Sequence, residues 1–427
     1  MNIWEYLDLL QENGIRIKKH CVLPREYIIT RICYRENNPF IASISGSKYR
    51  IYSSVFLRNH VKILFKTNED TEIYKKIIHG LENPSFSNYL SFHEVFEETS
   101  SNFDTIPFIK YYKEDGGYYL TGSIYIACVN DVCNASYHRT MYMGEEKAVP
   151  RIVPRDLYKI YTMYRQIRRD TPVAIVLGAD PFTSIASALS PRYGICELYI
   201  ANTLSRIVFK KQILFTKTPL YKIPVPATAS IVIEGRLSHR DEAWEGPFVD
   251  ILGIPDKKRR QPVLVLDRIY VNKEFEPIIH AIVPASKEHI LLASLSREPL
   301  IWREASKTTI VKAIRLTPGG GGWLHAVISI NKQTEGDSKN VILSAFAAHP
   351  SLKLVVVVDD DIDVDDPYEV EWAIATRFQA DRDLVIIPSV RGSTLDPSSQ
   401  NGITTKIGID ATKPLNKPEI LFRRVDI

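Results

Sequence analysis

The stretch DEAWEGPFVDILG, residues 241–253, sets two carboxylates, Glu245 and Asp250, on either side of Gly-Pro-Phe-Val. Pro247 excludes a helix interior and Gly246 loosens the backbone, so the segment reads as a strand edge or turn. Trp244, Phe248 and Ile251 flank the acids, and burial among such residues makes charge costly. Two carboxylates held this way suit general acid–base chemistry. Burial and a neighbouring acid raise a carboxyl pKa, and an arginine lowers that of the acid it pairs with. A surface turn with scattered acids would read the same, so the rest of the chain must decide.

Three further segments carry residues of the right types. In DVCNASYHRTMYMG, Asn134, Ser136 and His138 share one face of a strand, and Arg139 falls on the other unless a turn intervenes. An Asn oxygen suits a hard cation, and Arg139 offers a planar fork for carboxylate or phosphate. An ordinary exposed strand explains the same letters. In RIVPRDLYKIY, Pro154 ends a strand and Asp156 is placed to cap the helix that follows. Arg151 and Arg155 make that helix start attractive to phosphate. In LGADPFTSIASALSPRYGICELYIAN, a strand ends at Gly178-Ala179-Asp180, a helix begins near Thr183, and Glu197 reads as part of the next extended segment. The run VVVVDDDIDVDD lacks the Gly and terminal Glu of an EF-hand loop, so a solvated strand end followed by a helix cap is expected. TPGGGGW lacks the Lys-Ser/Thr ending of a phosphate-binding P-loop.

The elements that must position these residues follow from periodicity. Residues 1–115 mix short strands with helical patterns such as NEDTEIYKKIIHGLEN. A hairpin is expected around Asp115-Gly116-Gly117. From there to about residue 300, SIYIACV, VAIVLGA, SIVIEGRL and PVLVLDRIYV are β-rich and divided by Gly/Pro turns, which fits a β-barrel-like domain better than alternating βαβ units. After residue 300, LKLVVVVDDDI and RDLVIIPS flank the helix DPYEVEWAIATRF, capped by Asp365 or Asp366 with Pro367 in its first turn, giving a C-terminal α/β unit.

Bulk properties narrow the class. With 427 residues, 45% hydrophobic and 24% charged, the chain has the composition of a multidomain globular protein. Its apolar runs are strand-length, no secretory signal is visible, and a membrane span is not expected. Five cysteines without a CxxC pair point to a reducing, cytoplasmic setting and away from disulfides. The 54 basic and 50 acidic residues are interleaved, net +4, and the densest cluster, DKKRRQ at 256–261, reads as a solvated loop, so a nucleic-acid partner is not indicated.

Taken in order, NASYHR (134–139), RIVPRDL (151–157), GADP (178–181), ELYIAN (197–202), VPATASIVIEG (225–235), EGPFVD (245–250), VVVDDDIDVDD (356–366), EWAIATR (371–377) and KIGIDAT (406–412) resemble the UbiD family of prenylated-flavin-dependent decarboxylases. The resemblance implies an α/β multidomain fold: an N-terminal α/β domain (1–115), a central split β-barrel holding the flavin (116–300) and a C-terminal α/β domain (301–427). It implies reversible, non-oxidative decarboxylation of an aromatic or α,β-unsaturated acid by a homodimer or homohexamer. The implied cofactors are prenylated FMN, supplied by a separate flavin prenyltransferase, and a divalent metal, manganese or magnesium, with potassium nearby. Position by position, Asn134 and Glu197 match metal ligands. Tyr137, His138, Arg139, Arg151, Ile152, Val153, Asp156 and Leu157 match cofactor contacts, with Lys406 in a motif near the cofactor. Arg139, Glu245 and Asp250 match the catalytic arginine and acid pair, Asp250 as proton donor. Many members have His where Asp156 stands, so Asp156 either joins the metal shell as a carboxylate or only caps its helix. The chain resembles the shorter archaeal members, for which trans-anhydromevalonate 5-phosphate is one substrate and a hydroxybenzoate-type acid the other option. A phosphorylated substrate would need further basic residues, for which His138, Arg155 and Lys312 are candidates. The alternative is a non-catalytic UbiD-like assembly or regulatory subunit.

Overall fold

The computed structural model describes residues 1–36 and 38–423. The chain divides into two compact units, residues 1–68 with 79–292, and residues 69–78 with 293–427.

In the first unit, Lys18–Leu23, Phe40–Ile44, Arg50–Ser53 and Ile278–His280 form a four-stranded sheet in that order, with parallel, antiparallel and parallel pairings. Helix Ile3–Glu12 starts on a capping box between Asn2 and Glu5 and buries Ile3, Tyr6, Leu7 and Leu10. IITRICYR forms a helix, Ile28–Arg35, that buries Ile29, Thr30 and Ile32.

The unit's larger sheet is antiparallel and has nine strands. Its hydrogen-bonded path runs Tyr119–Leu120, Thr140–Tyr142, Lys147–Pro150, Arg259–Asn272, Ile231–Glu245, Thr171–Leu177, Ile124–Val129, Val132–Tyr137, and Phe96–Thr99 also pairs with Arg259–Asn272. Alternate residues such as Tyr125, Ile175, Ile233 and Leu264 point into one core, as period-two strands require. Thr140–Tyr142 lies next to one end of this path and Val132–Tyr137 is the other end, yet only His138 and Arg139 separate them in sequence. Three residues reach roughly 11 Å at most, so the sheet must curl until its two sides nearly meet. Side chains knit that corner: Ser123 Oγ donates to the His138 carbonyl at 2.7 Å, and Tyr125 Oη lies 2.8 Å from Thr140 Oγ1. The curl places His138 and Arg139 at that corner.

Several expectations are corrected. The hairpin at Asp115-Gly116-Gly117 shrinks to one bridge, Ile109 with Tyr119, and its loop serves another purpose. The Asp115 carboxylate accepts the amide protons of Tyr111, Tyr112 and Val249 at 3.1, 2.9 and 3.1 Å, tying the loop to the Glu245–Asp250 turn. Gly116 donates to the Pro247 carbonyl at 2.7 Å, and a Cβ on Gly116 would come within 2.4 Å of the Gly246 oxygen. The true hairpin joins Ile124–Val129 to Val132–Tyr137 through Asn130 and Asp131, both at positive φ as a tight two-residue turn demands. Across it Cys128 and Cys133 are register partners and form a disulfide, against the expectation of free thiols. Their five-residue spacing hid a pairing that only the hairpin register creates.

The second unit holds a five-stranded sheet, Ile310–Leu316, His325–Asn331, Leu354–Asp359, Ile403–Ala411, Leu384–Arg391, with parallel pairs at its centre. Val355 and Val357 pack into one core and Val356 and Val358 into another, which explains a four-valine run buried on both faces. Asp366 caps helix Pro367–Arg377 as expected. Asp359, by contrast, is not a solvated strand end: it is buried and bonded to Arg377 at 2.6 Å.

Asp115→Ala strands three buried amide donors, so it is expected to lower the unfolding free energy by about 2–4 kcal/mol in denaturant titrations. A loss below about 0.5 kcal/mol would mean the loop is held by other contacts.

Candidate active site

Strand Val132–Tyr137 presents Asn134 toward the start of helix Glu197–Phe209. Glu197 is the first residue of that helix rather than part of an extended segment, and it is only 2% exposed. Its carboxylate accepts from Asn134 Nδ2 at 2.8 Å and from the Ala135 amide at 2.7 Å. Burial, with a smaller push from the nearby Asp156 carboxylate and against the lowering effect of these donors, raises its pKa to about 8. Asp156 opens helix Asp156–Gln166 from its first turn, but the capping position belongs to Arg155 and no side chain caps there, so the capping role expected of Asp156 is not realised. Burial raises the Asp156 pKa as well, opposed by Lys159 and Arg155.

Asn134 and Glu197 are thus in contact, with the Asp156 carboxylate near enough to Glu197 to raise its pKa. Among the described residues no three His, Cys, Asp or Glu are grouped for a metal ion, so Asn134 would have to supply the third ligand. Two carboxylates and an amide oxygen are a hard donor set of the kind magnesium and manganese take. A cation there would also relieve two mutually repelling, partly desolvated acids, so the residues present fit a divalent ion. Ser136, as its strand face predicted, links the locus to the next: its Oγ lies 2.8 Å from Asn134 Oδ1 and 3.0 Å from His138 Nε2. His138 Nδ1 donates to the Arg151 carbonyl at 2.8 Å, and burial, aided by Arg155 and Arg151, lowers its pKa to about 4, so the ring is neutral at pH 7.

The second locus is the opening turn. Arg139 grips Glu245 side-on, with Nε to Oε1 at 2.8 Å and Nη2 to Oε2 at 3.2 Å. Glu245 is fully buried, and the guanidinium stacks 4.6 Å above the Phe248 ring. Asp250 closes the turn, its amide donating to the Ile254 carbonyl at 3.0 Å, near enough to Arg139 to strengthen the arginine's charge. Arg151, bonded through its amide to the Arg139 carbonyl, sends its guanidinium to the Ile152 carbonyl. Burial and the neighbouring Arg259 and Arg139 weaken its proton affinity, which leaves a cation well suited to an anionic group. Ile152 is fixed by Gln261 Oε1 at 2.7 Å, and Leu157 is buried in the sheet core beside it. The Tyr137 hydroxyl is buried close to Ser184, and burial raises its pKa. The Val153 carbonyl accepts the Arg155 amide proton at 2.7 Å. Lys406 lies in the second unit, where its ammonium donates to the Pro350 carbonyl at 2.7 Å and burial lowers its pKa to about 8. Lys312 is exposed on that unit's first strand.

Sequence reasoning missed two residues. Asp256, hidden in a basic run that read as solvated loop, pairs across a two-strand ribbon with Phe248 and accepts from Arg139 Nη2 at 3.2 Å. The hairpin register between 248 and 256 was the signal. His289, on helix Lys287–Leu295, lies by Asp250 and Arg139; burial lowers its pKa and Asp250 opposes that. Its Nδ1 accepts the Ala285 amide at 3.2 Å, so the ring proton sits on Nε2. No pattern in SKEHILL marked it.

Similarity to known proteins points the same way. Residues 87–287 match the 3-octaprenyl-4-hydroxybenzoate carboxy-lyase Rift-related domain (UbiD), and residues 290–411 the C-terminal domain of the same carboxy-lyase. The chain is 43% identical over 413 residues to the anhydromevalonate phosphate decarboxylase of Aeropyrum pernix, covering 95% of this chain and 92% of that protein. It is 39% identical to the Methanothermobacter thermautotrophicus protein of the same name, covering 94% and 92%. In structure it is similar to the UbiD-class enzyme HmfF from Pelotomaculum thermopropionicum in complex with FMN, with a TM-score of 0.94, 31% identity, and coverage of 100% and 97%.

Were Glu197 to ligate a divalent cation it would first have to lose its proton, so the affinity for Mn2+ or Mg2+ would rise roughly tenfold per pH unit up to about pH 8, one proton leaving per ion. The cation-free protein should lose stability as pH climbs from about 4.5 to about 8, since the folded state holds the proton more tightly. Calorimetric titration at pH 6 and pH 8, in two buffers of different ionisation heat, checks both the trend and the proton. A pH-independent affinity would remove Glu197 from the shell.

Proposed function

The chain belongs to the UbiD family of carboxy-lyases, and from that membership we propose how its residues carry out non-oxidative decarboxylation. The observation that carries the reading is the side-on pairing of Arg139 with fully buried Glu245, with Asp250 on the same turn. Arg139 binds the substrate carboxylate, held in orientation by Glu245 and by the Phe248 face beneath it. Asp250 delivers a proton to the carbon that has lost CO2, and takes one up again for the next cycle or for the reverse reaction. Phe248 and Tyr119, whose rings meet at 4.5 Å, form an apolar wall that keeps water from that carbon.

Prenylated FMN, when bound, supplies the electron sink that decarboxylation needs. The HmfF relative has structures in complex with FMN and with prFMN, which supports a flavin here. We place it in the curled sheet of the first unit, read as a split barrel. Tyr137, His138, Arg139, Arg151, Ile152, Val153, Asp156 and Leu157 would line its site. Manganese or magnesium on Asn134, Glu197 and Asp156 would neutralise its phosphate, with potassium nearby. The three-domain division, 1–115, 116–300 and 301–427, the homodimeric or homohexameric state, the cytoplasmic setting and the prenyltransferase that supplies the cofactor belong to the same proposal.

The substrate we favour is trans-anhydromevalonate 5-phosphate. Five relatives at 36–43% identity carry the name anhydromevalonate phosphate decarboxylase. Its phosphate would find cations in Arg151 and Arg155. With Arg139, Glu245 and Asp250 all in place, the non-catalytic alternative is not retained. Asp250→Asn is expected to take up flavin like the wild type and to lose turnover by roughly 100-fold or more in a CO2-release assay. Undiminished turnover in that variant would sink the assignment.

A further inference from the structure

Arg139 has five N–H donors in a fixed plane. Glu245 takes Nε and one hydrogen of Nη2, and Asp256 takes the other Nη2 hydrogen. Nη1, with its two hydrogens, is the end of the fork for which the described residues supply no acceptor. One carboxylate gripping a guanidinium side-on still allows it to rock about that contact, whereas two acceptors on different strands fix its plane. Glu245 ends the long strand Ile231–Glu245, and Asp256 sits across the ribbon from Phe248, so the two acids approach from separate pieces of backbone.

We propose that Asp256 is a positioning residue for the decarboxylation: it locks the Arg139 fork so that Nη1 alone faces the substrate carboxylate. This inference rests on the catalytic assignment of Arg139, Glu245 and Asp250.

Asp256 is itself held by Arg259 at 2.6 Å, and Arg259 is the register partner of Glu245. Glu245, Arg139, Asp256 and Arg259 therefore form a line of alternating charges with no net sign. The other charged or titratable groups facing it are Arg151, Asp250, His289 and Tyr119. Removing one charge from the line unbalances it in a direction set by the sign removed. Loss of the Asp256 charge leaves excess positive charge at the turn, which disfavours holding a proton there, so activity that needs a protonated group should fade at lower pH. Loss of the Arg259 charge has the opposite sign.

The test is the pH dependence of kcat and KM for CO2 release in flavin-loaded Asp256→Asn and Arg259→Gln, with Asp256→Glu as the conservative rescue. Asp256→Asn should lower kcat/KM by roughly 10- to 100-fold, with a share of the loss in KM because the fork is less well aimed. Its alkaline limb should move down by about half a pH unit, and that of Arg259→Gln should move up by a similar amount. Asp256→Glu should recover most of the loss. A purely structural role would lower the melting temperature of both variants without shifting the limbs in opposite directions. Unshifted limbs, or limbs that move the same way, overturn the proposal. If Asp256→Asn does not load flavin, the Arg259→Gln limb alone decides the point. Asp250→Asn run alongside separates the two levels: if that variant stays active, the assignment beneath this inference has failed; if it is inactive while Asp256→Asn behaves as wild type, only this inference falls.

Discussion

The site depends on placing one arginine against one fully buried glutamate. Glu245 is shut off from solvent, and a lone carboxylate in that position would be several kcal/mol out of balance or would hold a proton. Arg139 removes that cost only if its fork arrives in plane, since breaking such a pair leaves an uncompensated buried charge. Much of the first unit's architecture can be understood as the means of delivering it. Arg139 comes from the corner where the nine-stranded sheet curls to bring Val132–Tyr137 close to Thr140–Tyr142, and Glu245 comes from the end of the longest strand. The Asp115 loop then clamps the turn that follows Glu245.

The same corner couples the two loci. Asn134 and Arg139 are five residues apart, on a strand and just past its end, and His138 between them is pinned to the Arg151 backbone. Ser136 has a single proton to share between Asn134 Oδ1 and His138 Nε2. With His138 neutral, a proton given to the ring leaves the Asn134 oxygen free, so the hydrogen bonding of one locus bears on the donor set of the other. The placement of the two loci therefore follows from a few residues of one strand and its continuation.

Much of this was legible in the sequence, for reasons that can be stated residue by residue. The strand pattern of 124–137, 171–177 and 231–271 revealed the β-rich unit, and Pro247 with Gly246 revealed the turn, because both signals are local. The shared face of Asn134, Ser136 and His138 followed from period two. What failed was non-local. Glu197 looked like a strand residue because ELYIAN is β-compatible, and tertiary contacts with Ala135 and Asn134 make it a buried helix start. Asp156 looked like a cap because acids favour that position, but the helix begins one residue earlier than that role requires. Cys128 and Cys133 lacked a CxxC spacing and still meet, since a two-residue turn sets them opposite. Asp256 disappeared into DKKRRQ because charge density in sequence does not reveal which side chain turns inward, and His289 reaches the site from a helix with no distinguishing pattern.

The most direct measurement is CO2 release by the protein co-expressed with a flavin prenyltransferase and supplied with manganese, assayed on trans-anhydromevalonate 5-phosphate beside hydroxybenzoate-type acids. The expected result is a protein that carries prenylated FMN and releases CO2 from the phosphorylated acid, with Glu245→Gln inactive although loaded. A protein that carries the flavin and leaves every one of these acids untouched, or a Glu245→Gln variant as active as wild type, would contradict the central role of the Arg139–Glu245 pair.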